Sequence, residues 1–355
     1  MPVPLDRVLV VLPNWYGETL FAKPFLRALR QQRPAAFLAT LGWPQCREVL
    51  AHNPRVNAIL DYDERDAHRT LAGKRRLLHE LRAHAFDAVF ILRRSLSRTM
   101  LMALAGIRVR VGFANLKSGW LLTRRVTPAR QPLHKASTYL PLLEAVGLCV
   151  EPGPYEYFVS DAERRDAKER LVQQRAVNGR PLVILHPGAN WPHKRWATER
   201  FAALGDRFIE RERVYVAITG GPGDVTLGEA IARRMRPGAI VLAGQTSLRQ
   251  LAACLEQSRL IISNDTGVLH IAAALARPVV ALYGPTSPQL TGPLGDPART
   301  VILHHPECCP KIPCYRPDHP SHPGMDSITV DEVYDAARKL LGQATADRGT
   351  GFSIR

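Results

Sequence analysis

Acidic residues are scarce in the first half of the chain. Residues 1–150 hold 10 Asp and Glu against 23 Lys and Arg, whereas the remainder holds 22 against 25. The excess of positive charge is therefore local, and a genome-wide taste for arginine would not separate two halves of one chain. Such a field concentrates a polyanion, whether nucleic acid, anionic membrane or phosphorylated substrate. Cysteine is also sparse, six in 355 residues with Cys46, Cys149 and Cys254 isolated. That excludes a disulfide framework and suits a reducing compartment. No apolar run approaches the about 20 residues needed to cross a bilayer. The start, Met1 to Val11, lacks the apolar core of a secretory signal, so a cytoplasmic protein is expected. There is no RNP-like aromatic motif, zinc finger or basic helix, which argues against a nucleic-acid partner.

What is present is alternation. RVLVVLPN (7–14) reads as a buried strand, and Leu20, Phe21, Phe25 and Leu29 follow at helical spacing. Pro24 inside that pattern predicts a kink or a late helix start. Strand-like runs at 36–41, 56–60 and 87–92, with a helical pattern from Lys74 to His84, continue a parallel βα order. Gly147 to Pro154 reads as a hinge, before a charged helix at about 160–175. The second half gives five strands (PLVILHPG, VYVAITGG, AIVLAG, LIISND, PVVALYG) with helices between them. The expectation is an α/β chain of two doubly wound domains: 1–153, then 154–342 with a terminal helix at 329–341 that packs back on the first domain, then a disordered tail over 343–355.

In doubly wound sheets ligands bind beyond the carboxyl ends of the strands, where the unusual residues of the second half lie. In LIISNDTGVLH, a buried strand delivers Asp265, and Thr266 and Gly267 open a helix whose free amides favour an anion. His270 follows one turn on. Asp265 and Thr266 could instead merely cap that helix. HPGANWPHKRW (186–196) ends a strand and brings Lys194 and Arg195, which suit a diphosphate or serve as solvated loop cations. GGPGD is not a dinucleotide fingerprint, because Thr226 stands where the third glycine belongs. Asp224 at that strand exit suits a ribose hydroxyl. Cys308, Cys309 and Cys314, among His304, His305, His319 and His322, match no standard zinc spacing. A packed loop and no metal are expected there.

Together, HPGANWPHKRW, GGPGD, GQTSLRQLAACL, SNDTGVLHIAAAL and GPTSP followed by TGP resemble glycosyltransferase family 9, the heptosyltransferases. PNWYGETLFAKPFLRAL, RVRVGF, LLTRRV and His134 extend the resemblance more thinly over the first half. The resemblance implies a GT-B fold of two facing Rossmann-like domains and an inverting, metal-independent enzyme with no cofactor. It implies an ADP-heptose donor in the second domain and a phosphorylated Kdo–lipid A or core acceptor on the first, with peripheral contact to the anionic inner membrane. Where the family carries an aspartate as base after a glycine, this chain has Glu18, one methylene longer. The other roles implied are Lys194 at the diphosphate, Arg195 beside it, Asp224 at the ribose, and Asp265, Thr266, Gly267 and His270 at phosphates and sugar. Arg93, Arg94 and Arg98, leaving the strand FDAVFIL, are candidates for the anionic acceptor with His134. Two other readings fit these residues: the same chemistry with another nucleotide sugar or acceptor, or a degenerate, polyanion-binding protein.

Overall fold

The computed structural model describes residues 3–151, 153–174, 179–236, 238–309, 311–314 and 321–346. The chain divides into two compact units, Met1–Phe158 and Val159–Arg355.

In the first unit the order is β1 (Arg7–Val11), α1 (Tyr16–Phe21), α2 (Lys23–Gln32), β2 (Phe37–Gly42), α3 (Cys46–Leu50), β3 (Ala58–Asp61), α4 (Leu71–Ala83), β4 (Ala88–Ile91), α5 (Leu96–Leu104), β5 (Val109–Phe113), β6 (Arg124–Val126) and α6 (Pro141–Glu144). The strands lie in the order β3-β2-β1-β4-β5-β6, and every pairing is parallel, with Leu9 beside Ala39 and Val10 beside Phe90. Alternate residues of β1 feed two cores. Val8, Val10 and Leu12 pack with Phe25, Leu26 and Leu29 of α2, while Leu9 and Val11 pack with Leu77, Leu81 and Met102 of α4 and α5. A strand covered on both faces needs apolar residues at successive positions, which is what Val8 to Val11 supply after the half-buried Arg7. The break foreseen near Pro24 falls at Ala22, and Pro24 stands in the first turn of α2. There its missing N–H is one the helix would leave unbonded anyway.

The second unit runs α7 (Asp161–Gln173), β7 (Leu182–His186), α8 (Thr198–Glu212), β8 (Tyr215–Ile218), α9 (Val225–Arg234), β9 (Ile240–Val241), α10 (Leu248–Gln257), β10 (Leu260–Asn264), α11 (Gly267–Ala274), β11 (Val279–Tyr283), α12 (Pro288–Thr291), β12 (Thr300–His304), α13 (Pro323–Asp326) and α14 (Val330–Ala346). Its sheet, β12-β11-β10-β7-β8-β9, repeats the topology of the first, again all parallel. In both sheets the winding reverses once, between β1 and β4 and between β7 and β10, which is where this fold class holds its ligands.

Three expectations are corrected. The second sheet has six strands rather than five. The additional β12 is a half-buried edge strand, so it lacks the continuous apolar signature of its neighbours. The terminal helix belongs to the second unit, where Val333, Tyr334, Ala337 and Leu340 join Phe201, Leu204 and Phe208 in one core. It also continues to Ala346, past the tail expected from Gln343, and 347–355 lie outside the described residues. The units divide after Phe158 rather than in the 147–154 segment. Tyr157 donates its hydroxyl to the Glu48 carbonyl at 3.1 Å and Glu156 pairs with Arg55 at 2.8 Å, which holds this segment to the first unit.

Candidate functional site

In the second unit the residues beyond β7 and β10 are held to one another by the chain itself. The Asn264 side chain donates to the Pro187 carbonyl at 2.7 Å and accepts from the Trp196 amide at 3.3 Å. Trp196 in turn donates its indole N–H to the Ile328 carbonyl. These bonds fix the 186–196 loop over the end of β10. Lys194 Nζ then donates to Asp265 Oδ2 at 2.6 Å, and Thr286 Oγ1 donates to the same oxygen at 2.7 Å. Asp265 is 6% exposed and the Lys194 side chain 20%, so the carboxylate is buried and the ammonium stays partly open to solvent. An ammonium carries three protons; this carboxylate engages one, and the ammonium also lies 5.5 Å from the centroid of the Trp191 ring.

Beside them α11 starts from Thr266, whose backbone is extended and whose side chain does not cap the helix. Capping is thus not the role of Thr266. Apart from its chain neighbours and its own helix, no atom lies within 4 Å of where a Cβ on Gly267 would stand, so there is open space beside the first turn of α11. The buried His270 is on the same helix.

Asp224 lies across the switch point. It accepts from the Gly221 amide at 3.0 Å and faces the Arg195 guanidinium at 3.6 Å. Arg195 is anchored by two bonds to the Ala189 carbonyl, which sets its direction toward Asp224. The close approach depends on glycine: a Cβ at Gly188 would stand 2.5 Å from Asp224 Oδ2. Beneath, His186 shares a 3.0 Å bond with Thr219 Oγ1. Burial holds its pKa down at about 4, against a smaller upward pull from Asp224, so it is a neutral ring at physiological pH.

In the first unit, Glu18 is exposed in the first turn of α1. The turn at Lys135–Ser137 packs against α1, and His134, at the start of that turn, accepts from the Ala136 amide. Tyr139 nearby has its hydroxyl pKa raised by burial and further by the Glu18 charge. The structure thus brings Glu18 and the His134 segment together. Arg93 and Arg94 are exposed just beyond β4.

Arg98 is a correction. Its side chain is 1% exposed, paired with Glu64 at 2.7 Å, donating to the Leu12 carbonyl at 3.0 Å and lying over the Tyr62 ring. Its donors are engaged within the protein, so it supports the β1 exit rather than facing an acceptor.

Thr286 is the site residue that reading the sequence missed. The GPTSP motif was the available signal, but nothing local links it to Asp265, 21 residues earlier. The donor atoms of Cys309, Cys314 and His322 lie within 4.8 Å of one another, a convergence their spacing did not predict. His322 Nδ1 accepts from the Gly324 amide there. His319 and the rest of 315–320 lie outside the described residues.

The family model for glycosyltransferase family 9 (heptosyltransferase) matches residues 74–317. The chain is similar to lipopolysaccharide heptosyltransferase 2 of Escherichia coli strain K12, 28% identical over 307 residues covering 84% of this chain and 88% of that protein. It is also similar to lipooligosaccharide heptosyltransferase 2 of Haemophilus influenzae, 27% identical over 359 residues, 95% of this chain and 100% of that protein. Among solved structures, the E. coli ADP-heptose LPS heptosyltransferase II superposes with TM-score 0.80 at 26% identity, covering 96% of this chain and 99% of that one. A family 9 glycosyl transferase from Veillonella parvula superposes with TM-score 0.84 at 25% identity, covering 97% and 99%. With two doubly wound parallel domains of the GT-B class and a family match across most of its length, this chain belongs to glycosyltransferase family 9, the heptosyltransferases.

Proposed function

We propose that this enzyme transfers a heptose from ADP-heptose to a phosphorylated Kdo–lipid A or inner-core acceptor at the cytoplasmic face of an anionic membrane. The observation that carries the donor half is the joining of Lys194, Asp265 and Thr286 beside the open start of α11. A fixed ammonium and free helix amides stabilise the charge that grows on a departing diphosphate. Asp224 receives the ribose hydroxyls, with Arg195 setting its orientation, and Thr266, Gly267 and His270 line the phosphates and sugar. Arg93, Arg94 and His134 serve the acceptor.

The reaction is a single in-line displacement with inversion. Glu18 takes the proton of the acceptor hydroxyl as its oxygen bonds to the anomeric carbon, and the bond to ADP breaks with the electron pair leaving on the phosphate oxygen. No metal is needed when Lys194 and the helix amides carry the leaving-group charge.

The test is transfer from ADP-heptose to the phosphorylated acceptor. Glu18→Gln is expected to lower kcat by about 100-fold or more, the usual worth of a general base, and Lys194→Ala by about 100-fold. Glu18→Asp should retain most activity. Full activity in Glu18→Gln would remove the base from this mechanism, and activity only with a different nucleotide sugar would replace the donor.

A further inference from the structure

Between Asp87 and Glu144 the sequence has no acidic residue, yet it has ten Lys and Arg. All but Arg98 and Arg110 are exposed. The same stretch gathers apolar side chains on the outside: among the described residues, six of the eleven large hydrophobic side chains that are exposed lie between Leu96 and Leu133. Chance scatter does not concentrate them in one segment, and one that is cationic throughout.

The tertiary structure turns the segment into a surface. Leu96, Met100 and Leu104 recur every four residues on α5, so they form one exposed stripe. The short turn Gly119–Leu121 packs against α5 and β5, which brings the turn that carries Trp120 to the same helix. The loop ahead of it is built rather than slack. Asn115 Oδ1 accepts from the amides of Lys117 and Ser118 and from the Ser118 hydroxyl, and Arg110 ties the Leu121 and Ile107 carbonyls together. That scaffold holds Leu116 at 103% exposure and Trp120 at 68%, with Lys117 between them and Arg124 and Arg125 on the adjoining edge strand β6. A water-facing role gives no reason for a rigid loop to present leucine and tryptophan outward.

We propose that this β4-to-β6 edge of the first unit seats on an anionic phospholipid bilayer, with Leu116 and Trp120 entering the interface and the surrounding cations facing lipid phosphates. Tryptophan favours the headgroup level, each buried apolar side chain adds hydrophobic binding, and the absence of acid removes the repulsion an anionic surface would otherwise meet. The assignment rests on the proposed function only in explaining why an enzyme of lipid-linked acceptors needs it.

The experiment is sedimentation with vesicles of phosphatidylglycerol and phosphatidylethanolamine, and with pure phosphatidylcholine vesicles, using no donor and no acceptor. Binding is expected to the anionic vesicles and to be at least 10-fold weaker to the neutral ones. Leu116→Ser with Trp120→Ser, and separately Arg124→Glu with Arg125→Glu, should each weaken anionic-vesicle binding by about 10-fold or more. Leu71→Ser, at an exposed site outside the surface, should not. All should keep wild-type transfer to a short-chain soluble acceptor, which separates failure of the surface from failure of the enzyme assignment. Unchanged vesicle binding in both double variants would overturn the proposal. Tighter binding to a mixed-sequence RNA, lost in the same variants, would also overturn it by assigning the surface to nucleic acid.

Discussion

At the scale of the residue, the donor site depends on atoms that touch. Asp224 fits against the chain only because position 188 carries no side chain. Gly188→Ala should push the carboxylate away from the Gly221 amide, raise KM for the nucleotide sugar by about 10-fold and cost about 1–3 kcal/mol of stability through overpacking. Steady-state kinetics with a thermal melt check this, and an unaltered KM would detach Asp224 from donor binding. Glycine and aspartate were visible as motif residues. Their close packing, which leaves no room for a Cβ at Gly188, was not, because it joins two strand exits 36 residues apart. Asp265 is similar: its place at a helix start was readable from NDTG, but its two partners, Lys194 and Thr286, come from loops that only the strand order brings together.

At the scale of the element, α5 carries a device that no local pattern announces. Its Ser95 cap accepts from the Arg98 amide, and the Arg98 side chain then crosses to the Leu12 carbonyl at the end of β1 and to Glu64 beyond β3. One guanidinium thus ties together the segments that leave β4, β1 and β3, immediately before the turn that leads to Glu18. Removing it leaves a buried carbonyl without its donor and a carboxylate without its ion. Arg98→Met should destabilise the enzyme by about 3 kcal/mol, read from the urea midpoint. KM for the nucleotide sugar should not change, since that site belongs to the other unit. A midpoint equal to wild type would return Arg98 to the list of acceptor ligands. An arginine after a strand reads as a surface cation in any sequence; burial of its head group is decided by what the neighbouring strands bring.

Across the whole molecule, pH dependence follows from two groups of the second unit, the buried His186 and the half-buried Glu163. Burial lowers the His186 pKa from 6.5 to about 4. The unfolded chain therefore takes up a proton below pH 6.5 that the folded protein refuses until about pH 4, and stability falls across that window as pH drops. For Glu163, burial would raise the pKa, but bonds from Arg249 and from the Ser160 amide and hydroxyl outweigh it and bring it to about 2. Its contribution is whole above the ordinary value of 4.5 and is lost as pH falls from there toward 2. The His186 shift corresponds to about 3 kcal/mol, and solvent screening leaves the half-buried Glu163 a smaller share. Urea midpoints measured from pH 7.5 to 4 should decline for the wild type, and His186→Asn should flatten the part between 6.5 and 4. An equally steep decline in the variant would place the acid sensitivity elsewhere.

By itself the sequence determined the βα alternation, the two repeated Rossmann-like halves, the family and the chemical types at the strand ends. All of these are written in short-range patterns of apolar period, glycine and charge. Tertiary structure decided which of those polar groups meet. It joined Lys194 and Thr286 on one oxygen, buried Arg98, added the edge strand β12 and gathered a cationic, apolar surface at one sheet edge. Such pairings depend on strand order and crossover, which set distances between residues far apart in the chain and leave no trace in its local pattern.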